Sequence, residues 1–336
     1  MKKWITGALA ILLGVMSIAV PFSGMHIAEA KTTEETDRKL NIVTTIFPEY
    51  DWTRNILGNR EADVNLTMLL DNGTDLHSFQ PAVKDIMKVS SCDLLIYVGG
   101  ESDQWIEDAL ESAQNKDMKT INLMEVLGDT IKEEETVEGM QDSEHEHGHE
   151  DEHAHEGEDE KEYDEHVWTS IRNAERMSAS IADELMSVDS ENSKYYNERK
   201  TDYISQLDSL DKKFTEAANN KKRDTLVFGD RFPFLYFVSD YNLGYECAFP
   251  GCSHETESST AVVSHLIDFT REHDIPVVFY LELSSGKIAQ IISEDSSAKT
   301  MQFSSCHNVT KEDFENGATY ISVMEQNLEA LKEALY

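Results

Sequence analysis

The sequence is poor in basic residues. Only 29 lysines and arginines stand against 65 aspartates and glutamates, which leaves a formal net charge of -36 at pH 7. A chain with this charge repels phosphate groups, so the deficit argues against nucleic acid or an anionic membrane surface as a partner. Metal cations suit such a field better, although acidity of this kind also keeps secreted proteins soluble.

Cysteine is scarce too, and its spacing excludes two kinds of site. The chain has Cys92, Cys247, Cys252 and Cys306, and no two of them form a C-x-x-C pair. A thiolate zinc site or a thioredoxin-type redox motif is therefore not expected. An even count would allow one or two disulfides in an oxidising compartment, among three full connectivities, and the spacing alone leaves them open.

Hydrophobic runs that could span a membrane are also missing. The uncharged stretch Ile5 to Val20 falls short of the ~20 residues that a spanning helix needs. It follows Lys2 and Lys3 and precedes Ala28-Glu29-Ala30, a pattern typical of a signal-peptidase site. Residues 1–30 are therefore predicted to be a cleaved signal peptide, with an uncleaved anchor as the alternative. They contain no cysteine for a lipid anchor, so we expect an exported protein in the periplasm or at the extracellular face of the membrane.

Short β-branched or apolar runs alternate with segments of helical spacing in both halves of the mature chain. This alternation predicts an α/β fold of two lobes, each with a mostly parallel sheet flanked by helices. The predicted strands are Asn41–Ile46, Val64–Leu70, Leu94–Val98 and Lys119–Leu123 in the first half, then Thr225–Phe228, Tyr245–Phe249, Val277–Leu283 and Thr300–Phe303 in the second. The predicted helices include Ala82–Val89, Trp105–Ala113, Val262–Glu272, Lys287–Glu294 and Asn316–Leu335.

One long helix is predicted between the two halves. The stretch from about Ser190 to Asn220 has neither Gly nor Pro and carries apolar residues at helical spacing. At ~1.5 Å per residue it would run roughly 40 to 45 Å and form a stiff connector that permits only small lobe movements. We therefore expect an N-terminal metal-binding lobe at residues 31–190, a linker helix at 191–220 and a C-terminal metal-binding lobe at 221–336.

The segment at residues 132–165 differs from the rest of the chain. It holds seventeen Asp or Glu residues and almost no large apolar side chain, so we expect a mobile loop inserted in the first lobe. Imidazoles that alternate with carboxylates can grip a borderline-soft divalent ion, which predicts an auxiliary metal-binding tract. Its five histidines are His145, His147, His149, His153 and His155.

Two further histidines lie where a fold would fix them. His77 stands in the stretch Asp75 to Pro81, after a predicted strand and before a predicted helix. Ligand contacts in open α/β sheets lie beyond the carboxyl ends of strands, which is where this residue falls. His166 follows the acidic segment at the point where the sequence becomes apolar and then helical.

Together these stretches resemble a known family. The chain is similar to the zinc- and manganese-binding solute-binding proteins of bacterial ABC transporters, the group with a rigid helix between two lobes. The specific marks are Thr44-Thr45-Ile46-Phe47-Pro48, Asp75-Leu76-His77-Ser78-Phe79-Gln80-Pro81, Leu95-Ile96-Tyr97-Val98-Gly99-Gly100, Glu165-His166-Val167-Trp168 and Phe279-Tyr280-Leu281-Glu282. The His-rich segment looks like that of the zinc-selective branch.

The resemblance implies a metal ion between the lobes, held by two residues from each. His77 and His166 match the ligands of the first lobe. The third family ligand, a His or Glu, aligns with Gly229, so the pattern fails there; Asp230 is the nearest substitute, with a structural contact to Arg231 or a capping role as the alternative. The fourth position falls on or beside His307. A disulfide between Cys252 and Cys306 is implied beside it, because both segments should flank the cleft.

The expected function follows from this resemblance. The protein would be a monomer that captures Zn²⁺ outside the cytoplasm and delivers it to an ABC membrane permease with its cytoplasmic ATPase. No catalysis is expected, because the chain shows no Ser-His-Asp arrangement and no credible general base on a rigid element. A secreted zinc hydrolase, and a zinc store, chaperone or manganese carrier without catalysis, are the alternatives.

Overall fold

Two parallel sheets organise the described part of the chain. The computed structural model describes residues 38–134, 162–251 and 258–336. The first sheet holds β1 (Leu40–Thr44), β2 (Val64–Met68), β3 (Leu94–Tyr97) and β4 (Lys119–Asn122). The second sheet holds β5 (Thr225–Phe232), β6 (Gly244–Pro250), β7 (Val277–Tyr280) and β8 (Lys299–Gln302).

The two sheets repeat one topology. Their strand orders are β2-β1-β3-β4 and β6-β5-β7-β8, and all the named pairs are parallel. Parallel strands place their carboxyl ends along one edge, where side chains from different strands can meet. The predicted fold class and all eight predicted strands are confirmed, with end shifts of a few residues. The largest shift is in β5, which continues past Phe228 to Phe232.

Helices connect and cover the strands. In chain order they are α1 (Phe47–Leu57), α2 (Val83–Ser91), α3 (Trp105–Glu111), α4 (Leu123–Leu127), α5 (Ile171–Val188), α6 (Ser193–Asn219), α7 (Leu235–Tyr241), α8 (Thr260–Glu272), α9 (Lys287–Ser296), α10 (Lys311–Glu315) and α11 (Tyr320–Leu335). Helix α1 was not among the predicted helices. Its Pro48 lies in the first turn, where a missing N–H is tolerated.

Helix α6 is the predicted long helix. Its 27 residues lie in the chain between the two sheets, and it packs against α1, α5 and α11. Tyr196, Tyr203, Leu207, Leu210 and Phe214 are all buried on its inner face. The exact boundaries that the sequence suggested for two lobes and a linker stay predictions.

One hydrophobic core extends through both sheets. Ile42 and Ile96 of the first sheet, Phe228 and Phe279 of the second, and Leu207 of α6 are all fully buried in the same cluster. Burial of this kind is the main favourable term in folding, so the two sheets stabilise each other through shared apolar contacts. None of the described helices combines the length and apolar character needed to cross a bilayer.

The predicted mobile loop at residues 132–165 is wrong at its two ends, which are held by hydrogen bonds. Glu133 and Tyr163 form an antiparallel bridge, and Asp164 N donates to Lys132 O at 2.9 Å. The Tyr236 hydroxyl accepts from Lys132 N at 2.9 Å and donates to Asp164 O at 2.8 Å. These bonds hold both ends of the segment against α7. Residues 135–161, with all five histidines of the tract, lie outside the described residues.

The predicted disulfide is wrong for Cys306. Cys92, Cys247 and Cys306 are all free and buried, whereas Cys252 lies outside the described residues. The Cys306 thiol is fully buried in the main core cluster, and its nearest hydrogen-bond acceptor is Ser304 O, at 3.9 Å. The side chain of Cys306 therefore enters the core instead of flanking the cleft, while the next residue in the chain, His307, reaches the cleft.

Candidate metal centre

His77 is placed by a short turn after β2. The 3-10 turn Leu76–Ser78 is capped by Asp75, whose Oδ1 accepts from His77 N at 3.1 Å. An Asp at this position satisfies a donor that the turn leaves free. Only 8% of the His77 side chain is exposed, so the cap fixes a nearly buried imidazole at the edge of the first sheet.

His166 is placed by the residues on either side of it. Asp164 Oδ1 accepts from His166 N at 2.7 Å and contacts His166 Nδ1 at 2.9 Å. A 3-10 turn, Val167–Thr169, follows, and then Ser170 caps α5 by accepting from Asn173 N at 3.0 Å. His166 is only 2% exposed, so its ring cannot move freely.

The structure brings these two histidines together. Their Nε2 atoms lie 3.1 Å apart, although they are 89 residues apart in sequence. Two nitrogens that bind one zinc ion tetrahedrally at about 2.0–2.1 Å lie about 3.3 Å apart. The observed separation is therefore close to what a shared zinc ion requires.

Glu165 lies behind His77. His77, Glu165 and His166 place potential ligand atoms within 4.8 Å of one another, and they are the metal-binding group found among the described residues. Glu165 Oε1 accepts from the Ser102 hydroxyl at 2.5 Å and lies 3.4 Å from His77 Nδ1, and Oε2 accepts from Ser102 N at 3.0 Å. A Cβ at position 100 would come within 2.2 Å of Glu165 Oε2, so Gly100 provides the space. The Ser102 hydroxyl also lies 3.3 Å from His77 Nδ1, so Glu165 and Ser102 together orient His77 from the side opposite Nε2.

His307 reaches the cleft from the segment after β8 and stands outside that group. Its Nδ1 lies 2.9 Å from Glu282 Oε1 and 2.8 Å from Ser305 Oγ. Its Nε2 is buried and lacks a hydrogen-bond partner among the described residues; Asp75 Oδ2 lies 3.8 Å away. A buried polar atom without a partner costs free energy, so this nitrogen is suited to a ligand.

Hydrogen bonds tie the His307 segment to the first sheet. Asn308 Nδ2 donates to Asp71 O at 2.8 Å and to Thr74 O at 2.9 Å. Gly73 N donates to Val309 O at 3.0 Å. The turns that carry His77 and His307 are therefore held in register without any ion.

The surroundings change the pKa values of these groups in different directions. Burial and the neighbouring His166 lower the pKa of His77 to about 2. Burial also acts to lower the pKa of His166, but the Asp164 carboxylate outweighs it and raises this pKa above 6.5. Burial acts to raise the pKa of Asp75, yet the Arg231 guanidinium and two imidazoles lower it to about 2. At neutral pH His77 is therefore neutral and Asp75 is an anion.

The end of β5 holds Gly229, with which the third family ligand aligns, and Asp230 beside it. A Cβ on Gly229 would lie 2.4 Å from Ala289 Cα, so this residue faces α9 and not the cleft. Asp230 Oδ1 accepts from Arg231 N at 2.9 Å, and Oδ2 accepts from Leu281 N at 3.2 Å. These bonds fit the structural contact to Arg231 that the sequence left open as the alternative to a zinc ligand. Asp230 as a zinc ligand stays a prediction. The β5 side chain that reaches toward the histidines is Arg231, which binds Asp75.

Several contacts of the site were not anticipated from the sequence. These are the carboxylates behind the imidazoles, from Asp164, Glu165 and Glu282, and the Arg231–Asp75 ion pair. A signal was available for two of them, because Asp164 and Glu165 directly precede His166. Glu282 and Arg231 come from other segments, and only the packing of β5, β7 and β8 brings them to the cleft.

The chain is similar to proteins of zinc uptake. The family model described as "Zinc-uptake complex component A periplasmic" matches residues 42–334. The high-affinity zinc uptake system protein ZnuA of Bacillus subtilis is 29% identical over 334 residues, which cover 99% of this chain and 98% of that protein. The zinc-binding lipoprotein AdcA of Streptococcus pneumoniae is 29% identical over 309 residues, which cover 92% of this chain and 58% of AdcA.

A solved structure supports the same assignment. The Zn(II)-bound ZnuA-like domain of Streptococcus pneumoniae AdcA superposes with a TM-score of 0.68 at 27% identity, covering 89% of this chain and 99% of that chain. The shared fold and the family match over most of the chain agree. The chain therefore belongs to the ZnuA family, the periplasmic A components of zinc-uptake complexes.

Proposed function

We propose that this protein is the extracytoplasmic component that captures Zn²⁺ and delivers it to an ABC permease for uptake. The observation that carries the proposal is the arrangement of three imidazoles. His77, His166 and His307 each place Nδ1 beside a carboxylate and leave Nε2 for the cleft. Histidines that bind zinc typically have a carboxylate beside the ring nitrogen that does not bind the metal, because this contact fixes the tautomer and the orientation of the ring.

The proposed ligands are the Nε2 atoms of these three histidines. Zinc prefers tetrahedral sites with nitrogen donors, and a water molecule or one carboxylate would complete the shell. Asp75 is the nearest such carboxylate on the His307 side, at 3.8 Å from Nε2. Asp230 is less suited, since both of its oxygens accept backbone N–H groups.

Binding and transfer fit the site better than catalysis. A zinc hydrolase would need a carboxylate free to act as a general base beside the metal. The carboxylates of Asp164, Glu165 and Glu282 are all engaged with Nδ1 atoms. These carboxylates therefore orient the imidazoles, and in this proposal the protein converts no substrate.

The family description and the relatives support delivery outside the cytoplasm. The matching family is named periplasmic, and two relatives are named as a lipoprotein and as part of a zinc uptake system. The proposed partners are a membrane permease and its ATPase. The signal peptide and the missing lipid-anchor cysteine concern residues 1–30 and stay predictions.

The His-rich tract is proposed as an auxiliary zinc collector. Its two described ends are bonded to each other directly before Asp164 and His166. This placement would deliver ions collected by the tract close to the fixed site. We expect its sites to be weaker than the preorganised site of the fixed histidines.

Calorimetric titration in a competing chelator tests the proposal. Wild type, His166→Ala and a variant lacking residues 144–160 are compared with the control His265→Ala, whose imidazole contacts Glu246 outside the site. The deletion should lower the number of zinc ions bound but keep one tight site, and His166→Ala should lose that site. A His166→Ala protein that kept the tight site would show that the cleft is not where zinc binds.

A further inference from the structure

Arg231 brings a fixed positive charge to the proposed zinc site. Its Nη2 lies 2.5 Å from Asp75 Oδ2 and its Nη1 lies 3.4 Å from Asp75 Oδ1. The side chains of Arg231 and Asp75 are only 18% and 24% exposed. Arg231 comes from β5 and Asp75 from the turn after β2, so this ion pair joins the edges of the two sheets.

Asp75 is in contact with both sides of the metal site. Its Oδ1 accepts from His77 N at 3.1 Å. Its Oδ2 lies 3.8 Å from Nε2 of His307, an atom with no hydrogen-bond partner in the described part of the chain. A carboxylate in this place could bind zinc after a small side-chain rotation, because carboxylate oxygens are common zinc ligands. In the structure Arg231 instead binds both of its oxygens, and Oδ1 is shared with His77 N.

We propose that Arg231 limits the affinity for zinc by competing with the ion for the Asp75 carboxylate. This inference rests on the proposed function. A guanidinium keeps its charge at any relevant pH and matches a carboxylate with two parallel donors, so it is a strong competitor. Its positive charge also opposes a divalent cation nearby. The ion is then held by three imidazoles and a water molecule, and it leaves more readily than from a site with an added anionic ligand.

The alternative is that the Arg231–Asp75 ion pair only supports the site structurally. If the ion pair served only to hold the His77 turn against β5, its removal would loosen the site and weaken zinc binding. The hydrogen bonds from Asn308 to Asp71 O and Thr74 O already hold that loop to the His307 segment. These bonds stay when Arg231 is replaced, so the loss of competition should outweigh the loss of support.

The test is Arg231→Gln in the full chain, measured by zinc affinity and by the rate of zinc transfer to a chelator. We expect roughly tenfold tighter binding and correspondingly slower release, because a cation is removed and an anion is freed. X-ray absorption at the zinc edge should show one added oxygen ligand. The matched control is Arg172→Gln, which removes the same charge from a pair with Asp211 on the helices.

Repeating Arg231→Gln in an Asp75→Asn protein shows whether the freed carboxylate causes the gain in affinity. In Asp75→Asn protein the carboxylate is absent, so Arg231→Gln should no longer add an oxygen ligand and should give a clearly smaller gain in affinity, from the lost charge repulsion alone. Weaker or unchanged binding in Arg231→Gln, with the melting temperature of the metal-free protein preserved, would overturn the proposal, as would an equal gain in the Asp75→Asn background. If Arg231→Gln lowers that temperature, Arg231→Lys replaces it: one donor reaches Asp75 instead of two, so a smaller gain is expected and weaker binding would contradict it.

These outcomes are separate from a failure of the proposed function. If His166→Ala left the zinc affinity unchanged in both the wild-type and the Arg231→Gln proteins, zinc would bind elsewhere and the proposed site itself would be wrong. If His166→Ala abolished tight binding but Arg231→Gln did not increase it, the site would stand and only the competition would be refuted.

Discussion

The two sides of the candidate metal centre are built differently. On the side of the first sheet, the Nε2 atoms of His77 and His166 lie 3.1 Å apart, and carboxylates hold both Nδ1 atoms. On the side of the second sheet, His307 supplies one imidazole with its own carboxylate, while β5 brings the cation Arg231. An ion thus meets a prepared pair on one side and a single nitrogen beside a positive charge on the other.

This difference separates two properties of the site. A preorganised pair costs little ordering entropy on binding, so the first side should decide whether zinc is captured. The second side contributes one ligand and a competitor, so it should decide how tightly and for how long the ion is held. A carrier that must release its cargo needs both properties.

The largest effect on zinc affinity should come from removing one histidine of the His77–His166 pair. His166→Ala removes one of two adjacent nitrogens, and we expect zinc affinity to fall by more than the 10- to 100-fold typical of losing an orienting partner. His307→Ala should weaken binding less, because the pair persists. Competition with a chelator measures both variants. A greater loss in His307→Ala than in His166→Ala would reverse the assigned roles of the two sides.

Replacing the carboxylates that orient the imidazoles should have the next largest effect on zinc affinity. Glu282→Gln and Asp164→Asn keep the shape of each side chain but remove the charge beside His307 and His166. Zinc affinity should fall by about 10- to 100-fold in each variant. Glu246→Gln, which changes a carboxylate beside His265 outside the site, is the control. Equal affinities in all three variants would show that these carboxylates do not act through the imidazoles.

Protons should compete with zinc for His166. Zinc requires neutral imidazole, and the Asp164 carboxylate, acting against burial, raises the pKa of His166 above 6.5. His166 is therefore protonated below that raised pKa, and affinity should drop about tenfold per pH unit there. His77, with a pKa of about 2, stays neutral in this range. In Asp164→Asn the decline should begin at a lower pH, and affinity that is constant from pH 8 to pH 6 would contradict the assignment.

The smallest effect on zinc binding should come from Gly229→Ala. The new Cβ would lie 2.4 Å from Ala289 Cα, so α9 has to shift, and overpacking of this kind costs about 1–3 kcal/mol of unfolding free energy. Gly244→Ala is the control, since its nearest contact is a Thr225 side-chain oxygen at 3.2 Å. Urea denaturation measures stability and titration measures zinc. Lost zinc binding with unchanged stability would mean that position 229 faces the cleft after all.

The sequence predicted the fold well because its signals are local. Runs such as Leu94–Tyr97 are buried on both faces and bounded by polar segments, so their apolar pattern alone indicates a parallel strand. The long helix was predictable for the same reason, since Tyr203, Leu207 and Phe214 follow its period.

The site was only partly predictable, because its contacts are between distant segments. The three histidines stood out from motifs and resemblance, but the identity of their partners depends on strand order. At the end of β5, a register change between Phe228 and Arg231 decides which side chain faces the cleft, and no local sequence pattern shows that change. The disulfide failed for a related reason: Cys306 and His307 are adjacent, yet only one of them reaches the cleft, and the thiol is buried in the core.

X-ray absorption at the zinc edge tests the central claim most directly. The sample is the variant lacking residues 144–160, loaded with one equivalent of zinc, beside the same variant carrying His307→Ala. We expect about three imidazole nitrogens at about 2.0–2.1 Å in the first sample and two in the second. A shell made mainly of oxygen, or three imidazoles that persist after His307→Ala, would contradict a site built from His77, His166 and His307.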